Sequence, residues 1–163
     1  MANVKAVPDG FHTLTPHLTV KNADKALDFY QKALGAQVLH VSRMPDGKVM
    51  HATIRIGDSM LMLNDEFPGM GSVSPDRGAG FALHVYVDNV DDLFKKALAS
   101  GATQKMPPMD QFWGDRYGQV LDPFGFLWSL GQHIKDVSPE ELEAAGAEAM
   151  KQMAQHMPER KTA

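Results

Sequence analysis

The feature that most constrains this chain is an internal repeat, in which one segment returns 67 residues further along the sequence. Residues 15–24 read TPHLTVKNAD and residues 82–91 read ALHVYVDNVD. A duplicated strand–helix unit places equivalent residues around a pseudo-twofold axis, where both halves can contribute to one pocket. Four aligned pairs are identical: His17/His84, Val20/Val87, Asn22/Asn89 and Asp24/Asp91.

Hydrophobic periodicity predicts the element order β-α-β-β-β for both copies. In each copy an asparagine (Asn22, Asn89) stands where a helix N-cap belongs, and a Gly-Ala pair follows the helix. Residues 65–80 are rich in Gly, Pro, Ser and Asp, which is typical of a linker. The predicted elements are strands at 14–21, 37–43, 49–56, 59–64, 81–87, 103–112, 116–121 and 126–132, with helices at 23–34 and 90–99.

A third helix is predicted outside the repeat, over residues 138–157. Ser138-Pro139-Glu140-Glu141 has the pattern of a capping box with proline at the first helical position. Leu142, Met150 and Met157 fall near one side of this helix. It either covers its own domain or packs against a second chain, and the sequence leaves both open. The domain organisation is therefore one domain at 13–133 (modules 13–64 and 81–133, linker 65–80) followed by this helix.

Composition excludes several classes of site and partner. The 163 residues are 44% hydrophobic and 22% charged, as in a soluble globular protein. The chain contains no cysteine, which excludes disulfides, thiolate metal sites and cysteine nucleophiles. A net charge of −4 without a basic run argues against nucleic acid or an anionic membrane as a partner. With neither a signal peptide nor a membrane span visible, we expect a cytoplasmic protein.

The sequence of both halves resembles that of the vicinal oxygen chelate superfamily (glyoxalase I, bleomycin-resistance proteins and extradiol dioxygenases), and within it the PhnB-like subgroup. The resemblance covers residues 13–133. It is carried by five segments in order: TPHLTV at 15–20, ALDFY at 26–30, GKVMHA at 47–52, QFWGDRYG at 111–118 and DPFGFLWSL at 122–130.

This resemblance implies an α+β fold in which tandem βαβββ modules form curved mixed sheets around a cavity. It also implies a homodimer. Metal-dependent members bind Zn, Ni, Mn or Fe through His and Glu ligands from the first and last strands of the modules. The matching positions here are Thr15, Ala82 and Ser129. Alanine offers no donor and a lone hydroxyl is a poor ligand, so no catalytic metal is expected.

His17 and His84 lie two residues beyond the lost ligand positions, and period-two geometry points them to the same side of their strands. With His51 they are candidates for a displaced metal site, since neutral imidazole is a common ligand. They are equally candidates for binding or protonating an anionic or phenolic substrate. The third reading is a polar network that serves only the structure.

Further candidates for the ligand cavity lie on the same strands and on one loop. Tyr86 shares the strand face of His84, and Arg55 lies on the polar face of its strand, where it needs an acidic partner or water. In the loop WGDRYG at 113–118, Trp113 is a candidate for stacking on a flat ligand and Arg116 for holding a carboxylate. The structural alternative makes the aromatics loop anchors and Asp115–Arg116 a solvated pair. Trp128, on the face opposite Ser129, is predicted to be core.

Three functions fit these observations. The first is a small-molecule-binding protein of the glyoxalase/bleomycin-resistance type, with its ligand in the cavity between modules and without a catalytic metal. The alternative is a metal-dependent lyase, isomerase or dioxygenase of the same superfamily. The last is a protein whose cavity is vestigial and whose dimer surface matters. We favour the first, because it needs only shape, aromatic rings and a few polar groups. The catalytic residues and the ligand are not determined by the sequence.

Overall fold

The computed structural model describes residues 5–75 and 80–156, with side chains as far as residue 152. Linker residues 76–79 and Met157 lie outside the described residues. The N-terminal module contains β1 (His17–Val20), α1 (Ala23–Leu34), β2 (Gln37–Arg43), β3 (Val49–Ile56) and β4 (Ser59–Asp65). The C-terminal module contains β5 (Ala82–Tyr86), α2 (Val90–Ala99), β6 (Thr103–Asp110), β7 (Asp115–Leu121) and β8 (Leu127–His133), and α3 (Pro139–His156) follows it.

The two modules have the same sheet topology, which confirms the predicted tandem βαβββ arrangement. Their strand orders are β1-β4-β3-β2 and β5-β8-β7-β6. In each sheet the first strand pairs in parallel with the last, and the other neighbours are antiparallel. The first strand of each module therefore lies at a sheet edge.

Both repeat helices begin where the sequence predicts. The side chain of Asn22 accepts a hydrogen bond from the backbone N–H of Lys25 at 3.0 Å, and that of Asn89 accepts one from Asp92 at 3.0 Å. These bonds satisfy backbone donors that the first helical turn leaves unpaired. Gly35 ends α1 in the left-handed conformation, at φ 66°.

A second shared device ties the start of each helix to the last strand of its module. Asp65 accepts a hydrogen bond from the backbone N–H of Ala23 at 2.8 Å. Gln132, at the equivalent position of the second sheet, accepts one from Val90 at 3.2 Å. In the first sheet Val20 pairs with Asp65. In the second sheet Tyr86 pairs with Gly131, so the next residues along, Val87 (the equivalent of Val20) and Gln132, correspond to that pair. The duplication thus preserves the anchor although the residue type differs.

The core lies where the helices cover one face of each sheet. Within it, a buried carboxylate bonds residues of both modules. Asp122, which is 1% exposed, accepts hydrogen bonds from the Tyr30 hydroxyl at 2.9 Å and the Trp128 indole N–H at 2.9 Å. The backbone N–H groups of Phe124 and Phe126 also donate to it, each at 2.9 Å. Burial raises the pKa of Asp122, although these bonds act in the opposite direction. Trp128 is 3% exposed, so its predicted core position is confirmed.

The capping box of α3 is confirmed, while two large residues of its apolar side are exposed. The Ser138 hydroxyl accepts a bond from the Glu141 N–H at 3.2 Å, and the Glu141 carboxylate accepts one from the Ser138 N–H at 2.9 Å. Leu142 is 41% exposed and Met150 73% exposed. No helix in residues 5–75 or 80–156 is both long and apolar enough to cross a membrane.

Candidate functional site

The face of each sheet that carries no helix is called its open face here. On the open face of the N-terminal sheet, the rings of His17 and His51 meet edge to face with centroids 5.6 Å apart. They come from β1 and β3 and reach toward each other across β4. His51 Nε2 lies 3.2 Å from the hydroxyl of Thr53. The structure thus brings two of the three predicted histidines together.

The surroundings of His51 favour its neutral form. Burial lowers the pKa of His51, and repulsion from His17 and then His40 lowers it further. A partly desolvated imidazole between two others gains a proton only at more acidic pH than usual. The ring is therefore available as a hydrogen-bond acceptor near neutral pH.

The C-terminal sheet carries the equivalent pair, with one ring replaced. His84 takes the position of His17, and Tyr117 takes the position of His51. Their rings are nearly parallel, at 24°, with centroids 5.9 Å apart. Across the first sheet His17 lies level with Met62 and Thr53, and across the second His84 lies level with Ser129 and Gln119. His51 precedes Thr53 by two residues, as Tyr117 precedes Gln119, so the two rings occupy equivalent positions.

Hydroxyl and amide groups hold Tyr117 in place. Its phenol oxygen lies 2.8 Å from the Ser129 hydroxyl and accepts a hydrogen bond from the Gln119 side-chain amide at 2.7 Å. Ser129 is 4% exposed, so this network lies under the ring rather than in solvent. A phenol fixed by two partners is a rigid surface for a flat ligand.

Five aromatic rings form a continuous series along the open face of the C-terminal sheet. Tyr86 contacts His84 with centroids 4.5 Å apart, and His84 contacts Tyr117. Tyr117 contacts Trp113 at 5.7 Å, and Trp113 contacts Phe112 at 5.1 Å. Tyr86 is 61% exposed, so this end of the series is open to a ligand.

A buried carboxylate anchors two of these aromatic rings. Asp115, 4% exposed, accepts hydrogen bonds from the Tyr86 hydroxyl at 2.8 Å and the Trp113 indole N–H at 3.2 Å, and pairs with His133 Nδ1 at 2.9 Å. Burial alone would raise the pKa of Asp115, but hydrogen bonds from His133, Tyr86 and Trp113 outweigh burial and lower it. The ionised carboxylate therefore fixes the orientation of both aromatic side chains.

Glycine at position 131 is what allows His84 and Tyr86 to lie close to the sheet. Gly131 pairs with Tyr86 in the register of β5 and β8. A Cβ atom built at this position would lie 2.8 Å from His84 Nε2 and 3.0 Å from the Tyr86 ring. The absence of a side chain therefore leaves the space that the two rings occupy.

A cleft of about 830 Å³ lies between the modules, next to the aromatic series. His84 and Tyr86 lie at its edge, and Pro16 and Met60 contribute from the N-terminal module. A volume in this range accommodates a drug-sized molecule. Its apolar walls include residues of both modules: Leu34, Leu61, Leu83, Val85 and Trp128.

The predicted residues fall into two groups rather than one. His17 and His51 belong to the N-terminal open face, while His84, Tyr86, Trp113 and Ser129 belong to the C-terminal one. Among the described residues, neither a hydrogen bond nor a ring contact joins the two groups. A single cavity faced by both repeat histidines therefore stays a prediction.

The remaining three predicted cavity residues have partners of their own. The Thr15 hydroxyl donates to the backbone oxygen of His12 at 2.9 Å. Arg55 donates to the side chain of Gln37 at 2.5 Å, rather than to an acidic group. Arg116 forms a bidentate pair with Asp91, at 2.7 and 2.9 Å, and a further bond with Asp110 at 2.8 Å.

Asp115 and Arg116, which the structural alternative made a solvated pair, bond other residues instead of each other. Successive strand residues point to opposite faces, so Asp115 turns to the open face and Arg116 toward α2. Two carboxylates occupy the Arg116 guanidinium, which leaves little capacity for a carboxylate of a ligand. Arg116 therefore fits a structural role in the C-terminal module.

The side chains at the expected metal-ligand positions do not fit the metal chemistry of the enzymes that the chain resembles. Of the three ligand positions, Thr15 bonds the backbone, Ala82 has no donor and Ser129 is engaged by Tyr117. In the part of the chain that the structure describes, no group of three or more His, Asp or Glu side chains is arranged to hold a metal ion. His17 and His51 meet as a pair without a third ligand.

Sequence reasoning missed four residues that build the site: Asp115, Tyr117, Gln119 and His133. Asp115 and His133 lie 18 positions apart and meet only because β7 and β8 pair in register. Tyr117 could have been found by carrying the repeat through to β7, where it falls on the position of His51. Its hydroxyl partners required the structure.

Comparison with known proteins agrees with this architecture. Residues 10–130 match the family model described as "Glyoxalase/Bleomycin resistance protein/Dioxygenase superfamily". The uncharacterized protein Rv0887c of Mycobacterium tuberculosis is 46% identical over 137 residues, covering 81% of each chain. TioX from Micromonospora sp. ML1 has a similar structure, with TM-score 0.59 and 26% identity, over 76% of this chain and 99% of TioX.

A solved PhnB protein from Bacillus cereus shows the same fold, with TM-score 0.60 and 22% identity, over 74% of this chain and 99% of that protein. The match to the family model spans both modules and every strand of the two sheets except the last three residues of β8. The chain therefore belongs to the glyoxalase/bleomycin resistance protein/dioxygenase superfamily.

Proposed function

We propose that this protein binds a flat aromatic or amphipathic small molecule in the cleft between the modules, without a catalytic metal held by its own side chains. The observation that carries the proposal is the contact between an apolar cleft and a series of aromatic rings. Tyr86 and His84 belong to both. A ligand in the cleft would bury its apolar part between the modules and stack its ring at this edge.

The polar groups around the cleft support recognition rather than catalysis. Asp115 fixes Tyr86 and Trp113 through hydrogen bonds, and Gln119 and Ser129 fix Tyr117. Side chains that are held before a ligand arrives lose little conformational entropy on binding. A preorganised aromatic surface with few polar anchors is the usual construction of a small-molecule pocket.

The proposal is tested with N-phenyl-1-naphthylamine, a neutral flat probe whose fluorescence rises in apolar surroundings. We expect saturable binding of one probe per chain. Tyr86→Ala should weaken binding about tenfold, because it removes the ring at the cleft edge. Tyr86→Phe is the matched control, since it keeps the ring and loses only the bond to Asp115.

A second pair of variants tests the position of the ligand. Leu83→Trp adds bulk to the wall of the cleft and should abolish binding, whereas Leu39→Trp adds the same bulk at an exposed position of β2, outside the cleft. Unfolding temperatures report whether each variant is folded. Non-saturable binding, or equal affinity in all four variants, would disprove a ligand site in the cleft.

A further inference from the structure

The open face of the N-terminal sheet has a charge pattern unlike that of the chain as a whole. The chain carries a net charge of −4, yet strands β1 to β4 contain a single carboxylate, Asp65. That carboxylate is buried and accepts hydrogen bonds from the backbone N–H groups of Ala23 at 2.8 Å and Val49 at 2.7 Å. The carboxylate of the sheet is therefore engaged by backbone groups at the start of α1 and of β3.

Basic and titratable side chains remain on this open face, at His17, His40, His51 and Arg55. The two rings that meet, His17 and His51, retain free nitrogen atoms. His51 Nε2 has Thr53 as its partner, while in the described chain neither nitrogen of His17 nor Nδ1 of His51 forms a hydrogen bond with protein. Such nitrogens are available to a ligand from solvent.

Comparison with the other module shows why these nitrogens are free. In the C-terminal sheet, the equivalent positions carry Ser129 and Gln119, whose polar atoms engage Tyr117. In the N-terminal sheet, Met62 stands in the place of Ser129. A thioether is a weak hydrogen-bond acceptor and no donor, and Thr53, in the place of Gln119, reaches only Nε2 of His51.

We propose that the open face of the N-terminal sheet is a second binding site, separate from the cleft, that holds an oxyanion such as an organic carboxylate between His17 and His51. Two imidazolium rings so close together repel each other, and an anion between them removes that repulsion. Charged hydrogen bonds from both rings then orient the oxyanion.

Binding at this site should take up protons. The pKa of His51 is lowered by burial and by its histidine neighbours, so the empty site favours neutral rings. An anion favours the protonated form, and by linkage its affinity rises as pH falls. The groups next to His51 are His17 from β1, His40 and Ser42 from β2, and Thr53 from β3. The same open face also carries Arg55, Met62 and Asn64, and Asn64 bonds Ser72 of the following loop. The carboxylate after β4, Glu66, is bonded to Ser74.

The test uses benzoate as the probe and benzamide as its neutral counterpart, in calorimetric titrations at pH 6 and pH 8. Benzoate keeps its charge over this range. We expect about tenfold tighter benzoate binding at pH 6 than at pH 8, with proton uptake from the buffer. One coupled proton would limit the change to about a hundredfold over these two pH units. Benzamide should show no such dependence.

Variants assign the effect to the two rings. His17→Gln and His51→Gln should each weaken benzoate binding about tenfold and remove its pH dependence. Lys105→Gln, which removes an exposed positive charge from the other sheet, is the control. The NMR signals of the His17 and His51 rings should shift on titration with benzoate. Competition by sulfate would show that an oxyanion suffices, and its absence would show that the organic carboxylate is needed.

Two results would overturn this second site. One is benzoate affinity that is the same at pH 6 and pH 8. The other is unchanged affinity in both His17→Gln and His51→Gln while the variants remain folded. Because the naphthylamine probe of the cleft is neutral, its binding is measured independently, and failure of one site leaves the other standing.

Discussion

At the scale of single residues, His133 is the clearest charge-dependent contact of the described chain. Its Nδ1 lies 2.9 Å from Asp115 and its Nε2 lies 3.0 Å from Asp136. Both carboxylates accept, so both ring nitrogens must donate, and only the imidazolium does this. The Asp136 contact, and then the Asp115 contact, raise the pKa of His133. The ring thereby joins the end of β8 to the segment that leads to α3.

The pH dependence of stability should follow from this contact. A pKa raised in the folded state stabilises the protein fully below the unfolded value, about 6.5, and this stabilisation is lost as pH rises through the folded pKa. We therefore expect the free energy of unfolding to fall as pH rises from 6 to 9. Urea unfolding at several pH values measures it. His133→Gln should flatten that slope, and an identical slope in the variant would contradict the assignment.

Gly131→Ala should disturb the rings at the cleft edge more than the fold. A Cβ at 2.8 Å from His84 Nε2 forces that side chain and Tyr86 to rotate away. We expect a loss of stability of about 1 kcal/mol from overpacking, and clearly weaker binding of the naphthylamine probe. Gly69→Ala is the control, because nothing lies within 4 Å of a Cβ at that position. Equal probe affinity in both variants would rule out this role.

At the scale of elements, the helices were predicted better than the strands. Asn22, Asn89 and Gly35 fix helix ends through local hydrogen bonds and backbone conformation, so the sequence alone locates them. Strand ends depend on pairing partners far along the chain. The first strand accordingly begins at His17 and not at residue 14, since pairing with β4 begins at Met62.

The register of β3 shows a further limit of strand periodicity. Simple alternation along β3 predicts that Met50 shares a face with Ala52 and Ile54, yet Met50 is 53% exposed while Val49 is fully buried. A register shift between Ser42 and Arg43 on the neighbouring β2 accompanies this change of face. Such irregularities follow from pairing with another strand, which a local hydrophobic pattern does not contain.

The cap of α3 gives a test at the same scale. Ser138→Ala removes the hydroxyl that accepts the Glu141 N–H, and should destabilise the first turn by about 1 kcal/mol. Amide hydrogen exchange at residues 140–142 should speed up accordingly, with little change in global unfolding. Ser138→Asp restores an N-cap acceptor and should restore protection. Equal exchange rates in both variants would show that the cap does not hold this helix.

At the scale of the whole molecule, the sequence predicted the two modules but not how their side chains meet. The repeat identified His17 and His84 as equivalent, and the sequence offered His51 as a third candidate. Assembly of Asp115 with His133 depends on the pairing of β7 with β8, and the position of Asp122 depends on helix α1 of the other module. Contacts between segments distant in sequence are the part that a pattern along the chain cannot specify.

The bond between Tyr30 and Asp122 crosses from one module to the other, 92 positions apart in the sequence. Tyr30→Phe removes one of the buried donors to this carboxylate, and should lower the free energy of unfolding by about 1–2 kcal/mol. Tyr86→Phe is the control, because that hydroxyl also bonds a carboxylate but belongs to an exposed side chain. Denaturant unfolding should show the smaller loss in Tyr86→Phe, and a reversed order would contradict the argument.

Trp128 is an intrinsic fluorescence reporter, because it contacts both the buried carboxylate and the cleft. Its indole N–H bonds the carboxylate that Tyr30 also reaches, and its ring forms part of the cleft wall. Indole emission depends on hydrogen bonding and on the polarity around the ring. Since the chain has only two tryptophans, Trp113→Phe would isolate this one. A single wavelength scan could then follow separation of the modules and entry of an unlabelled compound.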